Sequence, residues 1–125
     1  MIDSAIKITA NAIQEIIKNM EEWHDWDLQD HVYEMREKYG IQGFEKIIIA
    51  KLYKESSFRP DAIHYNSNGS FDSGMAQINS INQKRLTRDI GITDFYDPVQ
   101  SIEAGVYMFS ECLNANDRNV DAALV

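Results

Sequence analysis

Cysteine is nearly absent from this chain: Cys112 is the only one among 125 residues. It cannot close an internal disulfide, so packing and hydrogen bonding must hold the fold. A bridge-free chain is also compatible with a reducing compartment. Proline is almost as scarce, with Pro60 and Pro98 alone, which excludes a proline-rich linker or a collagen-like repeat. Cations are outnumbered, twelve Lys and Arg against twenty Asp and Glu, for a net charge of −8. A protein that binds nucleic acid regardless of sequence needs the opposite balance, because it must displace counterions from phosphates. An anionic membrane surface would likewise repel this chain. No apolar run is long enough to span a bilayer. No signal peptide is visible either: Asp3 sits where a basic n-region is expected, and Lys7, Asn11, Glu15 and Lys18 interrupt the apolar positions.

What is present is an ordinary globular composition, 44% hydrophobic and 26% charged, at a length that suits one domain with a real core. Its charge suits a neutral or cationic partner, or a polymer gripped by hydrogen bonds. Apolar residues at three- and four-residue steps predict a helix over 4–20, followed by an aperiodic acidic and aromatic connection over 21–27. Asp27 then caps a second helix with Leu28, Val32, Met35 and Tyr39 on one face, and Gly40 at its left-handed end. The run from Phe44 to Ser57 reads as a buried helix despite three consecutive isoleucines. Ser70 to Ile78 is the only stretch that reads as strand, enough for one small hairpin after the turn Asn66-Ser67-Asn68-Gly69-Ser70. Residues 81–90 read as a helix ending near Gly91. Asp97-Pro98 starts another, with Val99, Ile102, Val106, Phe109 and Leu113 as its buried stripe. Val120 to Val125 opens a last helix. The class is α+β, mainly α.

Two carboxylates frame the turn-rich centre. Glu55 closes the third predicted helix, and stepping back from it by three, four, seven and eleven residues gives Leu52, Lys51, Ile48 and Phe44. An apolar face and the negative end of the helix dipole both disfavour an anion there. A carboxylic acid so placed is what protonating a glycosidic oxygen requires, although Lys51 opposes the effect if it reaches the carboxylate. Asp72, among polar residues beyond the turn, suits a carboxylate that stays ionised. Taken alone, Glu55 reads as a surface side chain at a fraying helix end and Asp72 as a turn-stabilising residue. Gln77 and Asn79 alternate in register with Ser73 and Met75, so a strand would send both amides to one side, where they suit the hydroxyl and N-acetyl groups of a sugar. His24, His31 and His64 lack metal-ligand spacing, so neither metal nor cofactor is expected. Ser56 and Ser57 have no paired histidine. Cys112, near Met108 and Gly105, reads as a small core residue. Trp23 and Trp26 suit sugar stacking, anchoring of the N-terminal segment, or a partner contact.

Glu55-Ser56-Ser57-Phe58, then Asn66, Gly69-Ser70, Asp72-Ser73-Gly74 and Gln77-Ile78-Asn79 together resemble the soluble lytic transglycosylase catalytic domain. The nearest variety is that of phages, conjugation systems and secretion systems. The same spacing also resembles the catalytic stretch of c-type lysozymes. The resemblance is dense over 44–80 and continues more loosely from Pro98 to Leu113 through Ala104-Gly105-Val106-Tyr107. It implies a lysozyme-like α+β fold with one short hairpin over residues 41–125, preceded by an N-terminal helical extension over 1–40. It also implies cleavage of the β-1,4 bond between N-acetylmuramic acid and N-acetylglucosamine in peptidoglycan, at the cell wall. Glu55 matches the acid that later turns base and yields 1,6-anhydro ends, while Ser73, Gln77 and Asn79 match groove-lining positions. Asp72 matches the second carboxylate of the lysozymes, so hydrolysis by a muramidase is the alternative. A glycan-binding or virion structural module without turnover is a third reading. The family's Ala-Tyr-Asn motif, expected just after a segment like Ala122-Ala123-Leu124, has no counterpart before Val125. The resemblance therefore implies a domain incomplete at its C-terminus, with an uncovered apolar face able to self-associate.

Overall fold

The apolar positions after residue 27 build the first element of the computed structural model, which describes residues 28–119. The helix expected over 4–20, the aromatic connection with Trp23 and Trp26, the cap at Asp27 and the segment 120–125 lie outside the described residues. Helix α1 runs Leu28–Met35. It stops short of Tyr39, and the chain continues in turns to Gly40, whose φ is 67°. There the Ile41 N–H donates to the Arg36 carbonyl at 2.8 Å and the Gly40 N–H to that of Glu37 at 3.3 Å. These bonds close the turns that follow α1 and bring Ile41 into the core, where it is fully buried.

Helix α2, Glu45–Ser56, follows as the isoleucine run predicts. The three β-branched residues weaken intrinsic helix propensity by only tenths of a kcal/mol each. Burying Ile48, Ile49 and Leu52, each 2–3% exposed, returns roughly 1.5–3 kcal/mol apiece, so packing decides. Val32 and Met35 of α1 share that core with α2 and with Ile102, Val106, Phe109 and Leu113 of the long helix α4, Pro98–Ala115. Asp97 caps α4 by accepting the Gln100 N–H at 3.0 Å, with Pro98 in the first turn. Val99 was expected on the buried stripe but is 40% exposed. The preceding loop bonds to the Gln100 side chain instead, through Thr93 and Asp94 N–H groups, and leaves Val99 uncovered. A second, smaller core gathers Leu86 of helix α3, Ser80–Ile90, with Ile78, Ile92, Phe95 and Ala104.

Between α2 and α3 lies a three-stranded antiparallel sheet in the order β1-β2-β3: Ile63–Tyr65, Phe71–Ser73 and Ile78–Asn79. The hairpin expected within 70–78 is there, and β1 adds a strand in front of it. Ile63, His64 and Tyr65 are all exposed, so no burial holds them extended; pairing with β2 makes them a strand. The fold is α+β and mainly helical, as expected.

One ion pair cluster fastens the α1 corner to α4. Glu103 accepts from Lys38 Nζ at 2.8 Å and from the Tyr39 hydroxyl. Partial burial pushes the Glu103 carboxyl up, but the bonds from Lys38 and Tyr39 outweigh burial and hold it below its ordinary value of 4.5. A carboxyl depressed on folding contributes stability above its unfolded value and loses it as pH falls through the folded one. Glu103→Gln is therefore expected to cost about 1 kcal/mol at neutral pH. In urea titrations at stepped pH, that deficit should shrink progressively below about pH 4.

Candidate active site

The sequence Glu55-Ser56-Ser57-Phe58 ends α2 abruptly, and that ending aims the site. Ser57 turns left-handed at φ 53° and Phe58 at φ 61°. Non-glycine residues in that region cost about 1–3 kcal/mol each and persist only where surroundings hold them. Here the Phe58 ring is 5% exposed and stands edge-on to Tyr53, 5.1 Å between centroids. The reversal leaves Glu55 in the last turn of α2, lining a cavity of about 270 Å³. Ile48 and Leu52 of α2, with Met108 and Phe109 of α4, supply its apolar lining. Gln77, Asn79 and Asn82 supply amides, and Lys51 a cation.

Lys51 does reach the carboxylate: its Nζ donates to Glu55 Oε1 at 3.0 Å. Both side chains are about one-third exposed, 34% and 37%. An i,i+4 pair in that setting is worth only about 0.3–0.5 kcal/mol. The contact is therefore weak, and Lys51 can be displaced.

The second wall is the turn Gly74 to Gln77. The alternating strand expected there does not form; β2 ends at Ser73 and Gln77 is left-handed at φ 51°. The turn is keyed from several sides. Ser56 Oγ, on a buried residue of α2, donates to the Met75 carbonyl at 2.7 Å. The Ala76 N–H donates to Ser101 Oγ of α4 at 3.0 Å, and the Gly74 N–H to the Ala62 carbonyl at 2.7 Å. Gly74 has φ 77°, and a Cβ on it would fall 2.0 Å from the Phe95 carbonyl oxygen, so no side chain fits there. Gly105 admits α4 so closely that a Cβ would sit 2.9 Å from that of Ala76. Gln77 Nε2 is spent on the Ala62 and Gly74 carbonyls, at 3.2 and 2.9 Å. Its Oε1 makes no hydrogen bond among the described residues and is available as an acceptor.

Of the residues singled out in the sequence, Glu55, Gln77 and Asn79 thus line one cavity, whereas Asp72 and Ser73 do not. Asp72 sits on β2 opposite His64 and Asn79, and its Oδ1 accepts Asn79 Nδ2 at 2.9 Å. The same Asn79 caps α3 by accepting the Ile81 N–H at 3.0 Å. Asp72 therefore meets the cavity only through Asn79. Ser73 is fully buried, and its Oγ accepts Gln83 Nε2 at 3.2 Å. Asn82 drew no attention in the sequence; its place one turn into a capped helix beside Asn79 was the available signal. Cys112, expected in the core, is exposed and borders the cavity. It stands one residue off the buried series 102, 106, 109 and 113, on the flank it shares with Met108 and Gly105.

Comparison with known proteins adds to this geometry. The family model described as "Transglycosylase SLT domain" matches residues 32–125. Invasion protein IagB of Salmonella typhimurium is 35% identical over 71 residues, covering 54% of this chain and 44% of that protein. Protein IpgF of Shigella flexneri is 40% identical over 58 residues, covering 46% of this chain and 36% of that protein. The matched stretch thus spans less than half the length of these curated relatives. No solved structure matches.

The keyed turn yields a test. Ser56→Ala strands the buried Met75 carbonyl and should lower stability by about 1–3 kcal/mol. Gly74→Ala adds a backbone collision to a disallowed φ and should cost about 3 kcal/mol or more. Chemical denaturation midpoints would rank the two, and a Gly74→Ala protein as stable as the parent would contradict the close approach to Phe95.

Proposed function

Since the chain belongs to the Transglycosylase SLT domain family, we propose that it is a peptidoglycan lytic transglycosylase acting at the cell wall. The bond cleaved is the β-1,4 link between N-acetylmuramic acid and N-acetylglucosamine. Glu55 gives its proton to the glycosidic oxygen as the C1–O4 bond breaks, and the departing sugar leaves with a free hydroxyl. The muramoyl 6-hydroxyl then attacks C1 and returns its proton to Glu55. The products carry a 1,6-anhydro ring, no water is consumed, and the carboxyl ends as it began. Lys51 stabilises the carboxylate that exists between the two proton transfers, and its weak hold does not prevent the first. Gln77 Oε1, with its amide nitrogen fixed to the backbone, accepts from a sugar hydroxyl or N-acetyl N–H.

The observation that carries this reading is that Glu55 is the one carboxylate among the described residues lining the cavity. A transglycosylase needs one such group that works as acid and then base, whereas hydrolysis by either stereochemical route uses two flanking carboxylates. The hydrolytic alternative, a muramidase using Asp72 as well, draws on the hydrogen bond that joins Asp72 to cavity-lining Asn79. The relatives' greater length makes the activity of the whole protein part of this proposal too.

Digestion of purified sacculi followed by mass spectrometry of the released muropeptides separates the readings. Transglycosylation predicts anhydro-muramoyl ends, a loss of at least about 100-fold on Glu55→Gln, and substantial activity retained by Asp72→Asn. Reducing ends alone, with collapse of activity in Asp72→Asn, would replace it with hydrolysis. Equal, near-zero clearing by the parent and Glu55→Gln would leave a glycan-binding module.

A further inference from the structure

The sheet has a second face, which the reading above does not use. Cross-strand pairing puts Tyr65 opposite Phe71 and Ile63 opposite Ser73. Because side chains alternate along a strand, these four lie on the face away from His64, Asp72 and Asn79. On that face a concavity of about 410 Å³ is bounded by Tyr65 and Phe71 of the sheet, Gln83 of α3, and Asp94 and Tyr96 of the loop before α4. None of its lining residues is shared with the Glu55 cavity.

Two tyrosines stand at this concavity in the open, Tyr65 at 72% exposure and Tyr96 at 40%. Tyr65 is braced by Phe71, with ring centroids 6.2 Å apart. Tyr96 is braced through its backbone N–H, which donates to Asp94 Oδ1 at 2.9 Å. Neither phenol hydroxyl makes a hydrogen bond among the described residues, nor does the second carboxylate oxygen of Asp94. The surface thus combines rigid apolar ring faces with three unused polar atoms beside them.

We propose that this face is a second, non-catalytic binding site for a neutral amino-sugar glycan segment. A pyranose presents apolar C–H faces and a rim of hydroxyl and amide groups, which is the complement of exposed rings flanked by hydroxyl and carboxylate oxygens. An apolar peptide laid here would bury the three unused polar atoms without partners, a costly exchange. An anionic ligand would face Asp94 on a chain of net charge −8. The choice of a glycan rests on the substrate proposed above, but occupancy of this site does not depend on cleavage at Glu55. Since the two depressions share no lining residue, the site holds a strand, or a part of one, other than that being cut. It fixes the domain to a cross-linked mesh through two contacts, which raises effective concentration at the first.

The test uses the full chain carrying Glu55→Gln, so that nothing is cleaved. Tyr65→Ala with Tyr96→Ala should reduce co-sedimentation with purified sacculi at least about fivefold, the loss of two stacking platforms. The thermal unfolding temperature should fall by only a few degrees, about what loss of the Tyr65–Phe71 ring contact costs, with the protein still fully folded at the assay temperature. Independently, hexa-N-acetylchitohexaose added to the Glu55→Gln chain should shift the ring resonances of both Tyr65 and Tyr96 in NMR spectra. Unchanged sedimentation of the double variant, or a glycan response confined to residues around Gln77, would overturn the proposal. So would a dimer that the double variant converts to monomer, because the face would then be occupied by a second copy. If the parent chain released no anhydro ends while the tyrosines still answered to glycan, the cleavage reading alone would fall.

Discussion

The hydrogen bond from Ser56 Oγ to the Met75 carbonyl, 2.7 Å long, joins the two pieces of chain that make the cavity. One is the end of α2, which carries Glu55; the other is the turn from Gly74 to Gln77, which carries an available amide oxygen. Neither piece would hold position alone. A helix end frays, and a four-residue turn has no core of its own. Tying them at a buried point, with Ser101 gripping the same turn from α4 at 3.0 Å, makes the spacing between Glu55 and Gln77 a property of the core.

Around that bond the backbone is held in conformations that an isolated peptide avoids. Ser57, Phe58 and Gln77 all have positive φ, and each draws on stability supplied elsewhere. The compensation comes from the burial of Phe58 and Met75 and from the paired core helices. Close approach is the other device. Gly74 lets the turn meet the Phe95 carbonyl, and Gly105 lets α4 meet Ala76. Gly105 and Ala76 both line the cavity, so there a contact that closes the fold also shapes the site.

The sheet divides the chemistry of the domain between its faces. His64, Asp72 and Asn79 share one face, and Asn79 links the hairpin to both the cavity and the start of α3. Ile63, Tyr65, Phe71 and Ser73 share the other. Strands this short contribute little to stability, yet the β2–β3 register sets Asn79 opposite Asp72 and so joins the hairpin to the cavity.

Much of this was legible in the residues themselves. Helix periodicity, the Gly91 and Asp97-Pro98 boundaries, the left-handed Gly40 and the mainly helical α+β class follow from local rules, because caps, breakers and apolar spacing act within a few residues; the end of α1 at Met35, ahead of Gly40, does not. Glu55 stood out for the same reason: its neighbours one and two turns back are fixed by the helix. Local rules could not supply β1, whose exposed Ile63-His64-Tyr65 becomes a strand only by pairing. Nor could they foresee the left-handed Gln77, because its turn is imposed by contacts with Ser56, Ser101 and Phe95 from three other parts of the chain. They also misplaced Cys112 in the core and Val99 on the buried stripe, since a helix face is buried only where something lies against it. The sequence by itself determined the helices among the described residues, the class and the place of Glu55 at a helix end; only the tertiary structure decided its company, bringing Gln77 and Asn79 to Glu55 while leaving Asp72 and Ser73 outside the cavity. The reason is physical: periodicity orients a side chain about its own axis, but long-range packing alone sets which other axis it meets.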